Sequence, residues 1–470
     1  MVKSPGPGFI NTKGKRDKYL KSLHIHVNMI ILPPPLGSRQ RKTGIDGGIM
    51  GAELVSTLGI YNVIRRAMGC MDSKLLLHGE ITGYIFYNML KADGSYTDVE
   101  LAEYTLIGIL HDIGLLKTGY KGDVVTCETT NVWAHSIYGY LFLKYLSPVD
   151  DMAEIVLYHH LPYHLHQHIK SRRLKETEFL ALADKMDVFM RMEGHGMEKD
   201  YFVKQSNIQF SARAMELFQL AQSKFNFMEK MKTDAYQQEL ASLFDRINLN
   251  EKKKKGFLEM LVYAIDFRSQ QTVIHTMATK NFALSIGRLL RVSTTDLQIL
   301  YYGTLLHDIG KIVIPLSILE APRRLTDEEM RVMKAHVVIS DKILRGVLDD
   351  RIVDVAAKHH EKLDGTGYPA GIGAEDLSQL ERTAAVADIL SALYGKRSYK
   401  DSFPAEKIKG ILTSDAENGK ICSQIVQVVI GNFDAIIRDY EKERDVTMER
   451  YMEINEQYEN IYEKFKSFDM

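Results

Sequence analysis

Between residues 275 and 388 the chain sets out His275, His307, Asp308, His336, His359, His360 and Asp388. Imidazole and carboxylate without cysteine suit Fe, Mn, Zn, Ni or Co, not a thiolate centre. Such groups are costly to bury unless they are paired or hold a cation. Seven ligands exceed what one tetrahedral ion needs. They suit two divalent cations that share a bridging carboxylate and leave positions open for water, an arrangement that serves phosphoester hydrolysis. A single His-Asp dipeptide is weak as a signal; an ordered set on successive helical stretches, gathered around one point, is much stronger.

The same order occurs earlier, as His78, His111, Asp112, His135, His159, His160 and Asp184. The partners lie 196 to 204 residues apart, with His307 against His111 and Asp388 against Asp184 at the two extremes. "LIGILHDIGLLKTG" at 106–119 returns as "YYGTLLHDIGKIVIP" at 301–315, and "LALADKMDVF" at 180–189 as "AAVADILSAL" at 384–393. This is a duplicated domain.

The elements that carry these residues read as helices. Apolar residues recur at three- and four-residue steps, period-two alternation is scarce, and Gly and Pro fall between helical stretches. The expected fold class is all-α, in two tandem helical domains. The boundaries predicted are a segment over 1–50 with no sustained period, a first domain over 51–191, and a helical linker over 192–255. A second domain over 256–440 and a C-terminal helix over 441–470 complete the chain. The Pro-, Gly- and base-rich first segment is expected to be disordered, with Met50 as the true start; His24 and His26 in it receive no role. The linker ends in "NEKKKKG", read as a solvated helix end. In the tail, Tyr451, Ile454, Tyr458, Ile461, Phe465 and Phe468 follow three- and four-residue steps. That seam either pairs with its twin in a homodimer or docks on the protein's own body.

Composition excludes several classes. With 45% apolar residues and 26% charged residues, the chain can bury sizeable cores, and its net charge of −1 gives no global pull toward a nucleic-acid polymer or an anionic membrane. No apolar run approaches a membrane span. Cys70, Cys127 and Cys422 form no short-spaced pair and fit reduced thiols in a cytoplasmic protein.

"HDIGKIVIP", "HHEKLDGTGYP" at 359–369 and "AVADILSAL" resemble the HD-GYP family, a branch of the HD phosphohydrolases that cleaves cyclic dinucleotides, chiefly cyclic di-GMP. The likeness covers about 265–430, and a wider HD resemblance extends over about 75–190. It implies that His275, His307 and Asp388 hold one metal, that His336, His359 and His360 hold the other, and that Asp308 bridges them. It implies two divalent ions per active domain, Fe or Mn before Zn, Ni or Co, and a catalytic pair of Asp308 and Lys311, with Lys311 on a phosphate oxygen. Gly365, Gly367, Tyr368 and Pro369 match the loop that gives the family its name and are expected at the substrate mouth, with Tyr368 packing rather than stacking on a base. The expected partner and substrate is a cyclic dinucleotide, probed first as cyclic di-GMP, cleaved to a linear dinucleotide or mononucleotides.

The chain departs from the family at Gln271, which favours two metals over three, and at Ala278, Ser391 and the "GKRSYK" stretch, which keeps Arg397 and Tyr399 but lacks a proline between them. The first copy has Leu115 where Lys311 would stand, with Lys117 as a substitute, and no Gly-Tyr-Pro loop. Its seven ligands form a second metal site that serves either another nucleotide or regulation. His164, His166 and His168 are read as surface or pocket-rim residues, not as extra ligands, and Trp133 as core. Two other readings stay open: a receptor or scaffold that binds nucleotide without cleaving it, and an HD hydrolase of another nucleotide such as (p)ppGpp.

Overall fold

The computed structural model describes residues 53–119, 132–191, 200–395 and 403–468. The Met50 start with His24 and His26, Cys127, the Gln271 side chain, and Arg397 with Tyr399 lie outside the described residues. Every regular element among the described residues is helical; strand-like pairing is confined to two isolated bridges, Ser206 with Phe210 and Asp364 with Gly373.

The first half comprises α1 (Thr57–Met71), α2 (Ser73–Asp93), α3 (Asp98–Ile109), α4 (Val132–Leu146), α5 (Glu154–Tyr158) and α6 (Leu174–Arg191). The linker folds as α7 (Ala212–Phe225) and α8 (Ala235–Arg246), and α7 rests on α2. The second half repeats the order with α9 (Glu251–Asp266), α10 (Gln270–Leu289), α11 (Thr294–Leu306), α12 (Asp327–Leu344), α13 (Asp350–Ala357) and α14 (Gln379–Tyr394). Then come α15 (Ala405–Glu417), α16 (Ser423–Gly431) and the long α17 (Phe433–Phe465). Local sequence sets the helix starts. Thr97 with Glu100, Thr326 with Glu329 and Ser378 with Glu381 each form a reciprocal capping box, opening α3, α12 and α14.

The two halves are joined by a reciprocal arrangement that sequence order conceals. Helix α1 packs on its own half but also reaches α12 and the turn at 309–313 of the other half; α9 does the same toward α4 and the turn at 115–118. The exchange is symmetric in detail. Gly59 of α1 faces Leu348 and Gly256 of α9 faces Pro148. Arg66 of α1 donates to the carbonyls of Lys342, Ile343 and Arg345, at 3.1, 3.2 and 2.8 Å, and so satisfies the end of α12. The lysine run at the start of α9 is therefore drawn inward where a solvated end had been expected: Lys253 pairs with Glu103, and Lys254, 2% exposed, pairs with Glu53 and Glu251.

Helix α17 lies across α4 and α10. Tyr458 stacks on Tyr138 with centroids 4.2 Å apart, Tyr451 meets Phe267 at 4.4 Å, and Phe465 meets Trp133 at 4.9 Å. Ile454 is fully buried. The heptad-like seam is thus filled by the chain's own body, the second of the two alternatives. Replacing Ile454 by Ala is expected to lower stability by about 2–5 kcal/mol. Because the contact is internal, the drop in melting temperature should be the same at all protein concentrations; a concentration-dependent drop would contradict the docking.

Candidate metal centre

The candidate ligands of the second half lie on helices or just after their ends. His275 is on α10 and His336 on α12, Asp388 is on α14, His307 and Asp308 follow α11, and His359 and His360 follow α13. The HD turn is held against α12 by Gly310. A Cβ on that glycine would lie 2.1 Å from the His336 carbonyl oxygen, so no side chain fits. Ser340 of α12 locks the contact, accepting from the Gly310 amide at 3.0 Å and donating to the His307 carbonyl at 2.8 Å. Gly114 repeats the approach in the first half, with a Cβ 2.0 Å from the His135 carbonyl.

The structure brings all seven second-half residues together. Ligand atoms of His336, His359 and His360 lie within 4.8 Å of one another, and so do those of His275, His307 and Asp308. Asp308 stands between the groups. Its Oδ2 lies 3.4 Å from His275 Nε2 and 3.1 Å from His307 Nε2, while its Oδ1 lies 3.1 Å from His336 Nε2. Asp388 Oδ1 is 3.0 Å from His275 Nε2, and its Oδ2 is 3.5 Å from His360 Nδ1. Three rings are fixed from behind: the Nδ1–H groups of His307, His336 and His359 donate to the carbonyls of Thr304, Met333 and Ala356, at 2.7, 2.6 and 2.7 Å. Each therefore turns a bare Nε2 inward, the tautomer that a metal ligand requires. His359 Nε2 is buried with no hydrogen-bond partner, which fits a cation.

Charge is distributed unevenly. Burial opposes protonation of His275, but Asp308 and Asp388 outweigh it and raise this imidazole to about 9. Burial lowers His360 to about 4 and holds His359 well below its ordinary value. Asp308 stays well below the usual carboxylate range, since His307 and Lys311 outweigh its burial. Lys311 pairs with Asp308, and that pairing overcomes burial to keep the ammonium charged.

The 359–369 loop is organised by a residue that the sequence reading did not single out. Glu361, buried, accepts from the amides of Ala370, Gly371 and Ile372 at 2.7, 3.2 and 3.2 Å. Gly367 packs on the 361–362 backbone, where a Cβ would come within 2.5 Å of the Glu361 Cα, and Gly365 has φ of 75°. The Tyr368 ring lies 4.7 Å from His360, with the Lys334 ammonium 4.6 Å from its centroid. Tyr368 thus packs on a ligand and also lines the cavity beside the cluster, whereas Gly365 and Gly367 shape the loop and do not line it. Ser391, read from the sequence as a departure, accepts from His275 Nδ1 at 2.9 Å and donates to the His275 carbonyl at 3.1 Å. Arg268, also unsuspected, donates to the carbonyls of Ile312 and Ile314 at 2.9 and 3.1 Å and so holds the turn that presents Lys311.

The first half gathers its seven residues as tightly, into Asp112 with His135, His159 and His160, and His78 with His111 and Asp184. Here His78 Nδ1 bonds to the Asp187 carboxylate at 2.7 Å, at the position equivalent to Ser391. The two centres differ in access. None of the first-half ligands is more than 6% exposed, whereas the side chains of His275 and His360 are 21% and 27% exposed and open on a cavity of about 560 Å3. Leu115, at the place of Lys311, is buried, and Lys117 turns away to the Phe267 carbonyl at 3.1 Å. His164 and His168 are exposed, but His166 is buried with its Nε2 on the Leu161 carbonyl at 3.1 Å, so it is not a rim residue.

Family models for the HD domain match residues 82–192 and residues 259–421. Both halves are HD domains. The HD pair shares 25% identity over 388 residues with the 3′3′-cGAMP-specific phosphodiesterase 1 of Vibrio cholerae serotype O1, covering 78% of this chain and 90% of the relative. It shares 35% over 196 residues with a cyclic di-GMP phosphodiesterase response regulator of Xanthomonas campestris pv. campestris, covering 41% of this chain and 50% of the relative. The 3′3′-cGAMP-specific phosphodiesterase 3 of the same Vibrio is 30% identical over 238 residues, covering 49% and 51% of the two chains. The chain thus spans nine tenths of the first relative and about half of the other two. Among solved structures, that of a cyclic GMP-AMP-specific phosphodiesterase from V. cholerae aligns with a TM-score of 0.49 at 17% identity, over 80% of this chain and 96% of that one.

Two outcomes follow from the geometry of the second HD domain. Gly310→Ala is expected to cost at least about 2 kcal/mol in chemical denaturation, because the nearest atom is backbone and cannot swing aside. His275, raised to about 9, carries a proton at pH 7 that a cation must displace. Affinity of its cluster should therefore rise with pH up to about 9, and calorimetry at pH 7 in buffers of different ionisation enthalpy should register about one proton released there. His359 and His360, already neutral, should contribute none.

Proposed function

We propose that this tandem HD protein is a metal-dependent phosphodiesterase whose second HD domain hydrolyses a cyclic dinucleotide. The observation that carries the reading is the Asp308 carboxylate set between two histidine clusters, beside Lys311, which lines an open cavity. Two divalent ions, Fe or Mn in this reading, would when bound activate a water and polarise a phosphate. The chain's own groups do the rest. Asp308 offers one oxygen to each cluster, and the backbone carbonyls behind His307, His336 and His359 keep their free nitrogens aimed inward. Lys311 remains charged and lies beside the bridging carboxylate, where it can pass to a phosphate oxygen as negative charge builds. In the overall step a water oxygen bonds to phosphorus, the bond from phosphorus to the 3′ oxygen breaks, and a proton passes to that oxygen. The product is a linear dinucleotide with a 5′ phosphate, which a second round converts to mononucleotides.

The relatives divide on the base. One named for 3′3′-cGAMP shares most of its length with this chain, while one named for cyclic di-GMP is more similar over a shorter stretch. Cyclic di-GMP remains the first substrate to test and 3′3′-cGAMP the second, both containing guanine. The first HD domain, whose ligands are buried and whose Lys311 position holds Leu115, is read as a metal-holding domain without turnover. No described helix is long and apolar enough to cross a membrane, which agrees with a cytoplasmic reading but does not decide it.

The test is hydrolysis by protein loaded anaerobically with Fe or Mn. His307→Ala combined with Asp308→Ala is expected to lower turnover more than about a hundredfold, whereas His111→Ala with Asp112→Ala should preserve it. Nucleotide that binds the metal-loaded protein and stays intact for hours would point to a receptor. Turnover confined to (p)ppGpp in a substrate panel would move the substrate class.

A further inference from the structure

The cavity of about 560 Å3 is lined not only by His275, His336, His360 and Asp388. The 318–325 segment and the first turns of α12 also line it, and they combine apolar side chains with two arginines. Ile318 is buried, and Met330, 41% exposed, gives the cavity an accessible apolar face. The arginines are not equivalent. Arg323 is held in a two-pronged pair with Glu329, at 2.7 and 2.9 Å, and so braces the start of the helix that carries His336. Arg324, next to it, is exposed, lines the same cavity, and has no carboxylate or carbonyl partner for its guanidinium among the described residues.

We propose that Arg324 is the specificity-determining residue of this cavity and reads the guanine of the substrate, an inference that rests on the cyclic dinucleotide reading above. A purine laid on the Met330 and Met333 wall turns its edge toward the cavity rim. Guanine presents two adjacent acceptors, O6 and N7, which match the fork of a guanidinium. Adenine presents N7 beside an amino donor, and the second bond is lost. Thioether side chains suit the face of the base because they are polarisable and adaptable. A phosphate would be better served by a polar surround than by this wall. The cavity volume lies within the usual range of ligand sites, about 300–1,000 Å3.

The experiment measures kcat and KM for cyclic di-GMP and cyclic di-AMP with metal-loaded full-length protein and with Arg324→Ala, Arg324→Lys and, as control, Arg331→Ala, which alters an exposed side chain paired with Glu328 outside the cavity. Arg324→Ala is expected to lower kcat/KM for cyclic di-GMP by about ten- to a hundredfold, mainly through KM, and to lower that for cyclic di-AMP by much less. Arg324→Lys should not restore it, because one ammonium cannot span both acceptors. Equal losses on both substrates with rescue by Lys would make Arg324 a phosphate contact and overturn the proposal, as would unchanged kinetics in Arg324→Ala. If the parent protein turned over neither cyclic dinucleotide, the function proposed above would fail and this inference with it.

Discussion

The centre depends on a backbone contact with no room for a β-carbon. In each half a turn bearing a His-Asp pair lies directly on the helix that carries the next histidine, and glycine is the residue at the point of contact. With Gly310 against the His336 carbonyl, Asp308 Oδ1 comes to 3.1 Å from His336 Nε2. With Gly114 against the His135 carbonyl, the matching distance is 3.3 Å. This separation is kept in both halves. A bridging carboxylate needs its two oxygens at fixed distances from two groups of ligands, and close packing of two backbones sets such distances more rigidly than a pair of long side chains could.

Given that frame, the halves solve the burial problem differently. Five imidazoles and two carboxylates in one interior are tolerable only if charge is balanced and each ring has a fixed tautomer. The first half buries the whole set and orients His78 with the side chain of Asp187. The second opens one side to a cavity, orients His275 with the neutral hydroxyl of Ser391, and adds the charge of Lys311. One arrangement suits retention of a cation. The other leaves a charged edge accessible to an anionic ligand.

The clustering of the seven residues was legible because they form a pattern of types at nearly constant offset, repeated once. The helices were legible from their apolar period. What stayed hidden has one physical cause: periodicity says that a face is buried, never against what. The stripe from Tyr451 to Phe468 could not distinguish a twin helix from α4. The lysines of 252–255 looked solvated because their partners Glu53 and Glu103 lie some 150 to 200 residues away in sequence. His166 was one polar residue among several, and only the Leu161 carbonyl makes it interior. Ser391 was misjudged for a different reason. A hydroxyl in place of a carboxylate looks like loss in a motif, but the geometry needs an acceptor for one N–H, and serine supplies it. Asp187, at the matching place in the first copy, would have revealed the role had the two copies been aligned beyond their ligands.

The exchange of α1 and α9 bears on how far either half can act alone. The segment 256–440, which the repeat marks out as a domain, starts inside α9 and cuts off the Lys253 and Lys254 pairs that anchor its first turns. It leaves uncovered the apolar face of α9, where Phe257, Leu258 and Leu261 are fully buried in the intact chain. It also removes Arg66 from the end of α12 and Lys117 from the Phe267 carbonyl. Phe267 is followed by Arg268, which holds the turn that presents Lys311, so the loss reaches within one residue of the group that steadies this part of the cavity lining. Inactivity of the isolated segment would therefore say little about the chemistry of its cluster. The intact pair of halves is the smallest piece of this chain in which Lys311, Asp308 and the histidines around them keep the surroundings described for them.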